Sequence, residues 1–359
     1  LKNKNLIKYT KALSPAYLRI GGSEADALYY NVEKVKKPNQ FDSELTTKMI
    51  QEIGEFIKKT NTKLFFTLNQ GPSTWNKKGK YQTTNLESFL KYISKNENIP
   101  LTFELGNEVF AYWAIFGINY QQTEEEYAKN FVTVKKILKK NNLNSKLAGP
   151  ASAFWPIIGE PLGFFFGKIK NVIPKLKEKL DIVTWHYYPT QSFRCPLAIR
   201  RANKERFLDP DVLDEIKDFA DEMVEQVHKN SPSTKIWLGE TGSAQCGGEP
   251  EISPHFISSF WWLDQLGILA QKKHNVVIRH NLIGADYALL NPDASPRPDY
   301  YSSWMWKKFM GKKVFKTESR NSYLRAYSHC HPDKKNISVM LINIHANPIN
   351  FELPFKNEG

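Results

Sequence analysis

Two glutamates that each follow a short apolar run are the strongest candidates for chemistry in this sequence. Glu108 ends the segment LTFELGNE, and Glu240 lies in the segment KIWLGET. Short β-rich runs of this kind predict strands with a carboxyl group near each carboxyl end. Two carboxyl groups at one site can cleave a glycosidic bond, because one protonates the leaving oxygen while the other attacks the sugar or activates water. One such glutamate alone is usually a structural residue, but two together favour catalysis.

Other polar side chains close the neighbouring apolar runs. They are Asn107, His186, Tyr188, Arg279 and His280. His186 and Tyr188 are two residues apart, so both point to the same side of a strand, although His186 alone also fits a core histidine. For the chemistry above, one glutamate must hold a proton, which burial or a neighbouring negative charge favours. The other must stay ionised, and the cationic side chain of Arg279 would favour that state.

The positioning elements follow from seven such runs that alternate with segments of helical period. The predicted strands are Ala16–Gly22, Lys63–Asn69, Leu101–Glu108, Lys146–Ser152, Ile182–Tyr188, Lys235–Thr241 and Asn275–Leu282. The predicted helices are Leu1–Leu13, Glu44–Lys59, Asn85–Ser94, Thr123–Lys140, Ile169–Lys179, Asp211–Lys229 and His255–Lys273. Alternation of this kind favours a parallel sheet in an α/β fold, here a (β/α)8 barrel whose first strand precedes residue 1. The strand ends of such a barrel meet at one face, which would gather the polar residues.

The pattern changes after Gly311, where alternating segments follow one another without helices between them. These predicted strands are Lys312–Thr317, Tyr323–His329, Ile337–Ile344 and Ile349–Phe355. We therefore expect two units, a barrel over residues 1–311 and the start of a small β-sandwich module over residues 312–359.

Composition narrows the class of protein further. The 359 residues are 41% hydrophobic, which excludes a disordered chain, and they include no apolar run long enough to cross a membrane. The formal net charge of +13 favours an acidic partner, or else a solvated surface of lysines. No nucleic-acid-binding motif accompanies these lysines, so we do not expect nucleic acid as a partner. The three cysteines are scattered, and we predict from them neither a disulfide framework nor a metal site.

Between about residues 13 and 353 the chain contains, in order, the segments LSPAYLRIGGSEAD, FELGNEV, TWHYY, KIWLGETGSAQCGG, VVIRHNLIGADYALL and PDYYSSWMWKKFMG. Together they resemble the heparanase family of endo-β-glucuronidases, glycoside hydrolase family 79. The resemblance implies a retaining glycosidase that uses no cofactor. Glu108 would be the acid/base and Glu240 the nucleophile.

The resemblance also implies residues that contact the substrate. Asn107 would donate to the sugar 2-hydroxyl, and Tyr188 would lie beside the nucleophile. Arg19 would orient the carboxylates, and Ser23 would touch the substrate.

A second set of implied contacts concerns the carboxylate of the sugar. Tyr287 and the backbone N–H groups of Gly247 and Gly248 would bind it, although a turn with positive φ explains the same glycines. Three residues depart from the family pattern: Val109 stands where the family usually has proline, His280 where it usually has glutamine, and Cys246 where it usually has glycine.

The implied substrate is an acidic glycosaminoglycan of the heparan sulfate or hyaluronan type, cleaved within the chain. An exo-acting β-glucuronidase and an inactive carbohydrate-binding homologue remain alternatives. A basic loop would hold the polymer or would only be solvated; its residues are Arg194, Arg200, Arg201, Lys204 and Arg206. We further expect a monomer that is secreted or lysosomal, without a transmembrane segment, and a peripheral association with proteoglycans at the cell surface or in the matrix.

Overall fold

The computed structural model describes residues 1–96, 101–154, 164–176 and 180–352. The strands are β1 (Tyr17–Ile20), β2 (Leu28–Asn31), β3 (Ser43–Thr46), β4 (Lys63–Leu68), β5 (Leu101–Leu105), β6 (Lys146–Phe154), β7 (Ile182–Tyr187), β8 (Lys235–Thr241), β9 (Val276–Arg279), β10 (Val314–Phe315), β11 (Leu324–Cys330) and β12 (Ile337–Asn343). The helices are α1 (Lys4–Ala12), α2 (Thr47–Thr60), α3 (Thr84–Asn96), α4 (Tyr112–Ile115), α5 (Glu124–Lys140), α6 (Phe164–Leu176), α7 (Lys204–Phe207), α8 (Pro210–Asn230), α9 (Ile257–Gln271) and α10 (Pro298–Phe309).

Seven parallel strands form the main sheet, in the order β1-β4-β5-β6-β7-β8-β9. Helices connect successive strands, as parallel pairing requires, and the sheet curls until it is nearly closed into a barrel. Every predicted barrel strand is present, with ends that differ by a few residues. Each predicted helix is also present; the last residues of the one expected to end at Lys179 lie outside the described residues. No described helix is long and apolar enough to span a membrane.

The barrel interior is layered because side chains alternate between its two faces along each strand. Phe65, Ala148, Ile182 and Trp237 fill its lower part as one apolar cluster. Two residues beyond Phe65 on β4, the inward side chain is polar, namely Thr67. The apolar layer thus supports a polar layer at the carboxyl ends of the strands.

The outer core lies between the sheet and its helices, and α5 shows how such a helix is fixed. Thr123 and Glu126 form a capping box at its first turn, which contributes about 1 kcal/mol to helix stability. Its inner face buries Tyr127, Phe131 and Val134 at helical spacing against the sheet.

A small antiparallel sheet of β10, β11 and β12 follows the barrel, as the change of pattern predicted. It packs on α9, where Asp264 accepts from the guanidinium of Arg325 at 2.8 Å and from the hydroxyl of Tyr327 at 2.5 Å. The fourth predicted strand is not formed at residues 349–352, and its remainder lies outside the described residues. The domain boundary at residue 311 stays a prediction.

Candidate active site

A β-bulge aims Glu240 at the barrel axis. On β8 the inward side chain of Trp237 would be followed by an inward residue at position 239, which is glycine. The pairing of β7 with β8 shifts there, so that His186 lies opposite Glu240 and Gly239 is the extra residue. Bulges of this kind re-aim side chains at active sites. Glu240 thereby enters the polar layer, where it is 8% exposed.

Glu108 reaches the same layer from a tight turn after β5. Gly106 has a φ of +71°, and a Cβ on it would lie 2.4 Å from a methyl of Val109, so only glycine fits. Glu108 itself has a φ of +49°, a left-handed conformation that is uncommon outside glycine and is typical of functional sites. Asp26 fixes this turn, since its carboxylate accepts from the backbone N–H of Asn107 at 2.8 Å and of Gln70 at 3.0 Å.

The two sequence-predicted glutamates therefore lie side by side, with one histidine between them. His186 Nδ1 is 3.0 Å from Oε1 of Glu108 and 4.0 Å from Oε2 of Glu240. One oxygen of each glutamate and one ring nitrogen of His186 all lie within 4.8 Å of one another, and all three residues are buried. Such a set could ligate a metal ion, but Glu240 is already neutralised by a guanidinium, which disfavours a second cation.

That guanidinium belongs to Arg19, not to Arg279. Arg19 Nη1 donates to Glu240 at 2.8 Å, Nη2 donates to the amide oxygen of Asn107 at 2.8 Å, and Nε donates to Glu104 at 2.9 Å. The prediction that Arg279 keeps Glu240 ionised is wrong. Arg279 lies at the edge strand β9, where it pairs with Asp299 at 2.7 Å and lies against two tryptophan rings of α9.

Tyr188 and His280 contact the other oxygen of Glu240, and Tyr287 in turn contacts His280. The Tyr188 hydroxyl donates to Oε1 at 2.6 Å. His280 Nδ1 lies 3.4 Å from the same oxygen, 3.0 Å from the Tyr188 hydroxyl and 3.1 Å from that of Tyr287. These contacts join the aromatic side chains into one network around the carboxylate. Burial, and next the charge of Glu240, raise the pKa of Tyr188 well above its usual value, so this hydroxyl keeps its proton and donates.

The charge state of Glu240 follows from this shell. Burial alone would raise the pKa of its carboxyl. The charge of His280 acts most strongly against burial, Arg19 adds to it, and the pKa of Glu240 lies well below its ordinary value. Glu240 is therefore a carboxylate at neutral pH, as a nucleophile must be.

The role implied for the turn with Gly247 and Gly248 stays a prediction. Both glycines have φ near +90°, which supports the alternative that the turn itself requires them. The N–H of Gly248 donates to the carbonyl of Ala244 at 3.1 Å, so it is occupied within the protein. The carbonyl of Gly247 accepts from Asp286 N at 2.9 Å, which holds the turn beside Tyr287. Ser23 begins a short 3-10 helix after β1, and no described contact joins it to the carboxylates.

The basic loop is more fully paired than its sequence suggests. Three of its arginines make ion pairs with the protein: Arg194 with Asp286 at 2.7 Å, Arg200 with Glu215 at 2.8 Å and Arg201 with Glu249 at 3.2 Å. Lys204 and Arg206 lie on the one-turn helix α7, at the same end of the barrel as the strand tips. Polymer binding stays a prediction, and it rests chiefly on these last two residues.

A disulfide joins this loop to the glycine turn, between Cys195 and Cys246. This bond could not be predicted from the sequence, because scattered cysteines carry no signal about which strand ends become neighbours. Glu104 and Asp26 were also not predicted. Glu104 was visible as a charged residue inside the apolar run LTFEL, a pattern that indicates a buried, paired carboxylate.

Comparison with known proteins identifies the family. A model of the glycosyl hydrolase family 79 N-terminal domain matches residues 1–267. The chain belongs to glycosyl hydrolase family 79. Among its family 79 relatives, heparanase-like protein 2 of Arabidopsis thaliana is 30% identical, over 94% of this chain and 64% of that protein. Heparanase of Bos taurus is 29% identical, over 99% of this chain and 72% of that protein.

Other comparisons show that the relatives include an inactive protein and that this chain covers only part of their length. Inactive heparanase-2 of Mus musculus is 27% identical, over 84% of this family 79 chain and 51% of that protein. The chain spans 64 to 66% of the length of three plant relatives. Among solved structures, a 4-O-α-L-rhamnosyl-β-D-glucuronidase from Fusarium oxysporum has the same fold, with a TM-score of 0.69, 17% identity and coverage of 96% and 73% of the two chains.

Proposed function

We propose that this family 79 chain is a retaining glycosidase that cleaves β-glucuronidic linkages in an acidic glycosaminoglycan. The separation of the two carboxylates carries the proposal. Retaining enzymes place their carboxyl groups about 5–5.5 Å apart, whereas inverting enzymes need about 6.5–9.5 Å to admit a water molecule. Oxygens of Glu108 and Glu240 lie within 4.8 Å of each other, which favours the retaining geometry.

The roles of the two glutamates follow from their neighbours. Glu240 is ionised and hydrogen-bonded by Arg19 and Tyr188, so its oxygen can attack the anomeric carbon and form a glycosyl-enzyme bond. Glu108 contacts a histidine rather than an arginine, which suits a group that gives a proton to the leaving oxygen and later takes one from water. The Asn107 amide oxygen faces Arg19, so its nitrogen is left to donate to the 2-hydroxyl.

The substrate class rests on the relatives and on charge. Several relatives are named heparanase or heparanase-like, and the Fusarium oxysporum neighbour is a glucuronidase in complex with a glucuronic-acid disaccharide. The net charge of +13 suits an anionic polymer, and we propose cleavage within the chain of heparan sulfate or hyaluronan. The Cys195–Cys246 disulfide supports a secreted or lysosomal location, because such bonds persist in oxidising compartments. The monomeric state and proteoglycan association stay predictions.

Two measurements test this function. Proton NMR during hydrolysis of an aryl β-glucuronide should show the β-anomer of glucuronic acid as the first product; an α-anomer would contradict retention. Size analysis of heparan sulfate and hyaluronan digests should show intermediate fragments early, whereas loss of single sugars from the ends would favour the exo-acting alternative. No cleavage of any of the three would support the inactive alternative, represented among the relatives by inactive heparanase-2.

A further inference from the structure

Two buried polar atoms beneath the carboxylate pair have no hydrogen-bond partner within the described part of the chain. They are Oε1 of Glu104 and Nε2 of His186. Both residues are fully buried, at 0% exposure. A buried carboxylate oxygen or ring nitrogen without a partner destabilises the folded state, so a pair of them in one place needs a physical explanation.

Gly239 shows that the two atoms border the same space. A Cβ built on this glycine would lie 3.5 Å from Glu104 Oε1 and 3.6 Å from His186 Nε2, with the Cβ of Thr184 at 3.4 Å. No hydrogen bond joins the two polar atoms, yet both lie close to the point where Gly239 has no side chain. Buried water occupies polar spaces where it finds at least two partners.

We propose that Glu104 and His186 hold one water molecule beside Gly239, and that this water fixes the proton of the His186 ring on Nε2. The Nε2–H group donates to the water, and the water donates to Oε1 of Glu104. The other oxygen of Glu104 already accepts from Arg19 and Thr67, so the carboxylate is held in place. Glu104 is thus a positioning residue that acts through the histidine.

The consequence for the reaction lies at the other ring nitrogen. With the proton on Nε2, Nδ1 of His186 has a lone pair that faces Oε1 of Glu108 at 3.0 Å. It accepts a hydrogen bond from the O–H of the Glu108 carboxyl group, which retains this proton until the leaving oxygen takes it. This inference rests on the proposed function for its catalytic meaning, but the ring tautomer can be measured without any substrate.

The test uses two substitutions at one position. Gly239 has no positive φ, and a methyl group there meets its neighbours only at ordinary contact distances, so Gly239→Ala should fold with an unchanged or slightly higher Tm. The methyl group occupies the space that the water needs. Gly239→Ser adds the same carbon together with a hydroxyl that can replace the water between the two polar atoms.

The expected result is a difference between the two variants. Gly239→Ala should lower kcat/KM about tenfold on a glucuronide with a poor leaving group, while Gly239→Ser keeps most of it. On an activated dinitrophenyl glucuronide, which needs no protonation, both variants should resemble the wild type. Equal losses for Ala and Ser, or no loss for Ala, would overturn the proposal.

A second measurement separates this inference from the proposed function. Nitrogen-15 NMR of the histidine rings in the full chain at neutral pH should show His186 protonated on Nε2 alone. In Gly239→Ala the signal should become a mixture of the two tautomers, and Gly239→Ser should restore it. A wild-type ring with its proton on Nδ1 would refute the water, even in an active enzyme. The expected spectra without glucuronide hydrolysis would instead refute the function and leave the water intact.

Discussion

At the scale of single residues, one guanidinium organises the candidate site. Arg19 bonds Glu104, Asn107 and Glu240 through three different nitrogens, and its side chain is only 7% exposed. A planar group with donors in fixed directions can do this, whereas a lysine ammonium offers one point of charge. Arg19 therefore couples the charge of Glu240 to the position of Asn107 beside Glu108.

The roles of the two glutamates can be separated by substitution. Glu240→Gln should reduce hydrolysis of every glucuronide by at least about 1,000-fold, because no glycosyl-enzyme can form. Glu108→Gln should cause a similar loss with a poor leaving group but spare formation of the glycosyl-enzyme from an activated dinitrophenyl glucuronide, seen as a burst of dinitrophenol. Rapid-mixing kinetics on both substrates give the comparison. Glu251→Gln, at an exposed glutamate in the loop after β8, is the control and should change nothing. Equal loss of the burst in both site variants would contradict the assignment.

Asp26 makes the stability of the turn depend on pH. Burial raises its pKa to about 7, although the backbone N–H groups of Gln70 and Asn107 act to lower it. The folded state then retains a proton that the unfolded chain loses near pH 4. The stability contributed by Asp26 is therefore present below pH 4 and is lost as pH rises through about 7, by about 1.4 kcal/mol per unit at most.

Urea unfolding at pH 4.5, 5.5 and 7 measures this effect. As pH rises, the free energy of unfolding of the wild type should fall relative to that of Asp26→Asn, because asparagine does not titrate. Asp218→Asn, at an exposed aspartate on α8, is the matched control and should show no such trend. A difference that stays constant over this range would mean that Asp26 is already ionised in the folded protein at pH 4.5, which would contradict the raised pKa.

The residues predicted from the sequence differ in a physical way from those that were missed. Glu108, Glu240, His186 and Tyr188 lie at strand ends, and the strand pattern alone brings such residues to one face. The strand pattern could not show whether Arg19 or Arg279 pairs with Glu240. That pairing depends on the orientation of each side chain across the barrel, and Asp299, far along the sequence, binds Arg279.

At the scale of elements, two loops at the barrel mouth are held to each other. The loop after β7 and the glycine turn after β8 are joined by the Cys195–Cys246 disulfide, by the ion pair of Arg201 with Glu249, and by a hydrogen bond from Arg194 to the carbonyl of Gly248 at 2.8 Å. The turn lies against Tyr287, whose hydroxyl contacts His280. The position of the turn is thereby linked to the network around Glu240.

Removal of the disulfide should show how much this link contributes to stability and to substrate binding. The sequence separation is 51 residues, and closing a loop of that size stabilises a protein by about 2–4 kcal/mol. Cys195→Ser with Cys246→Ser should lower the free energy of unfolding by that amount and raise KM for glucuronides more than it lowers kcat. Cys330→Ser removes the free cysteine and is the control. An equal effect of a reducing agent on the wild type and on the double variant would rule out the bond.

At the scale of the whole molecule, the fold followed from periodicity because a parallel sheet covered by helices must alternate apolar strands with amphipathic helices. The distribution of charge over the surface could not be predicted from the sequence in the same way. The sum of +13 is a property of composition, but ion pairs such as Arg200 with Glu215 neutralise part of it locally. Only the folded chain separates cations that are paired within the protein from those that face the mouth.

The last prediction concerns those cations and a polymeric substrate. Lys204 and Arg206 lie on α7 at the mouth, whereas Lys58 and Lys59 lie in the last turn of α2, which leads into the opposite end of the barrel. Replacing either pair by serine removes the same charge. If α7 holds an anionic polymer, Lys204→Ser with Arg206→Ser should raise KM for heparan sulfate several-fold and flatten its dependence on salt, because exposed charges act within a Debye length of about 8–10 Å.

The matched variant Lys58→Ser with Lys59→Ser should leave both quantities unchanged, and neither variant should alter hydrolysis of a small aryl glucuronide, which binds only at the carboxylate pair. Steady-state rates at several salt concentrations supply the comparison. Equal effects of the two pairs on heparan sulfate would mean that net charge alone attracts the polymer, through long-range steering rather than contact with α7. No effect of either pair would leave the exo-acting alternative as the better account of the site.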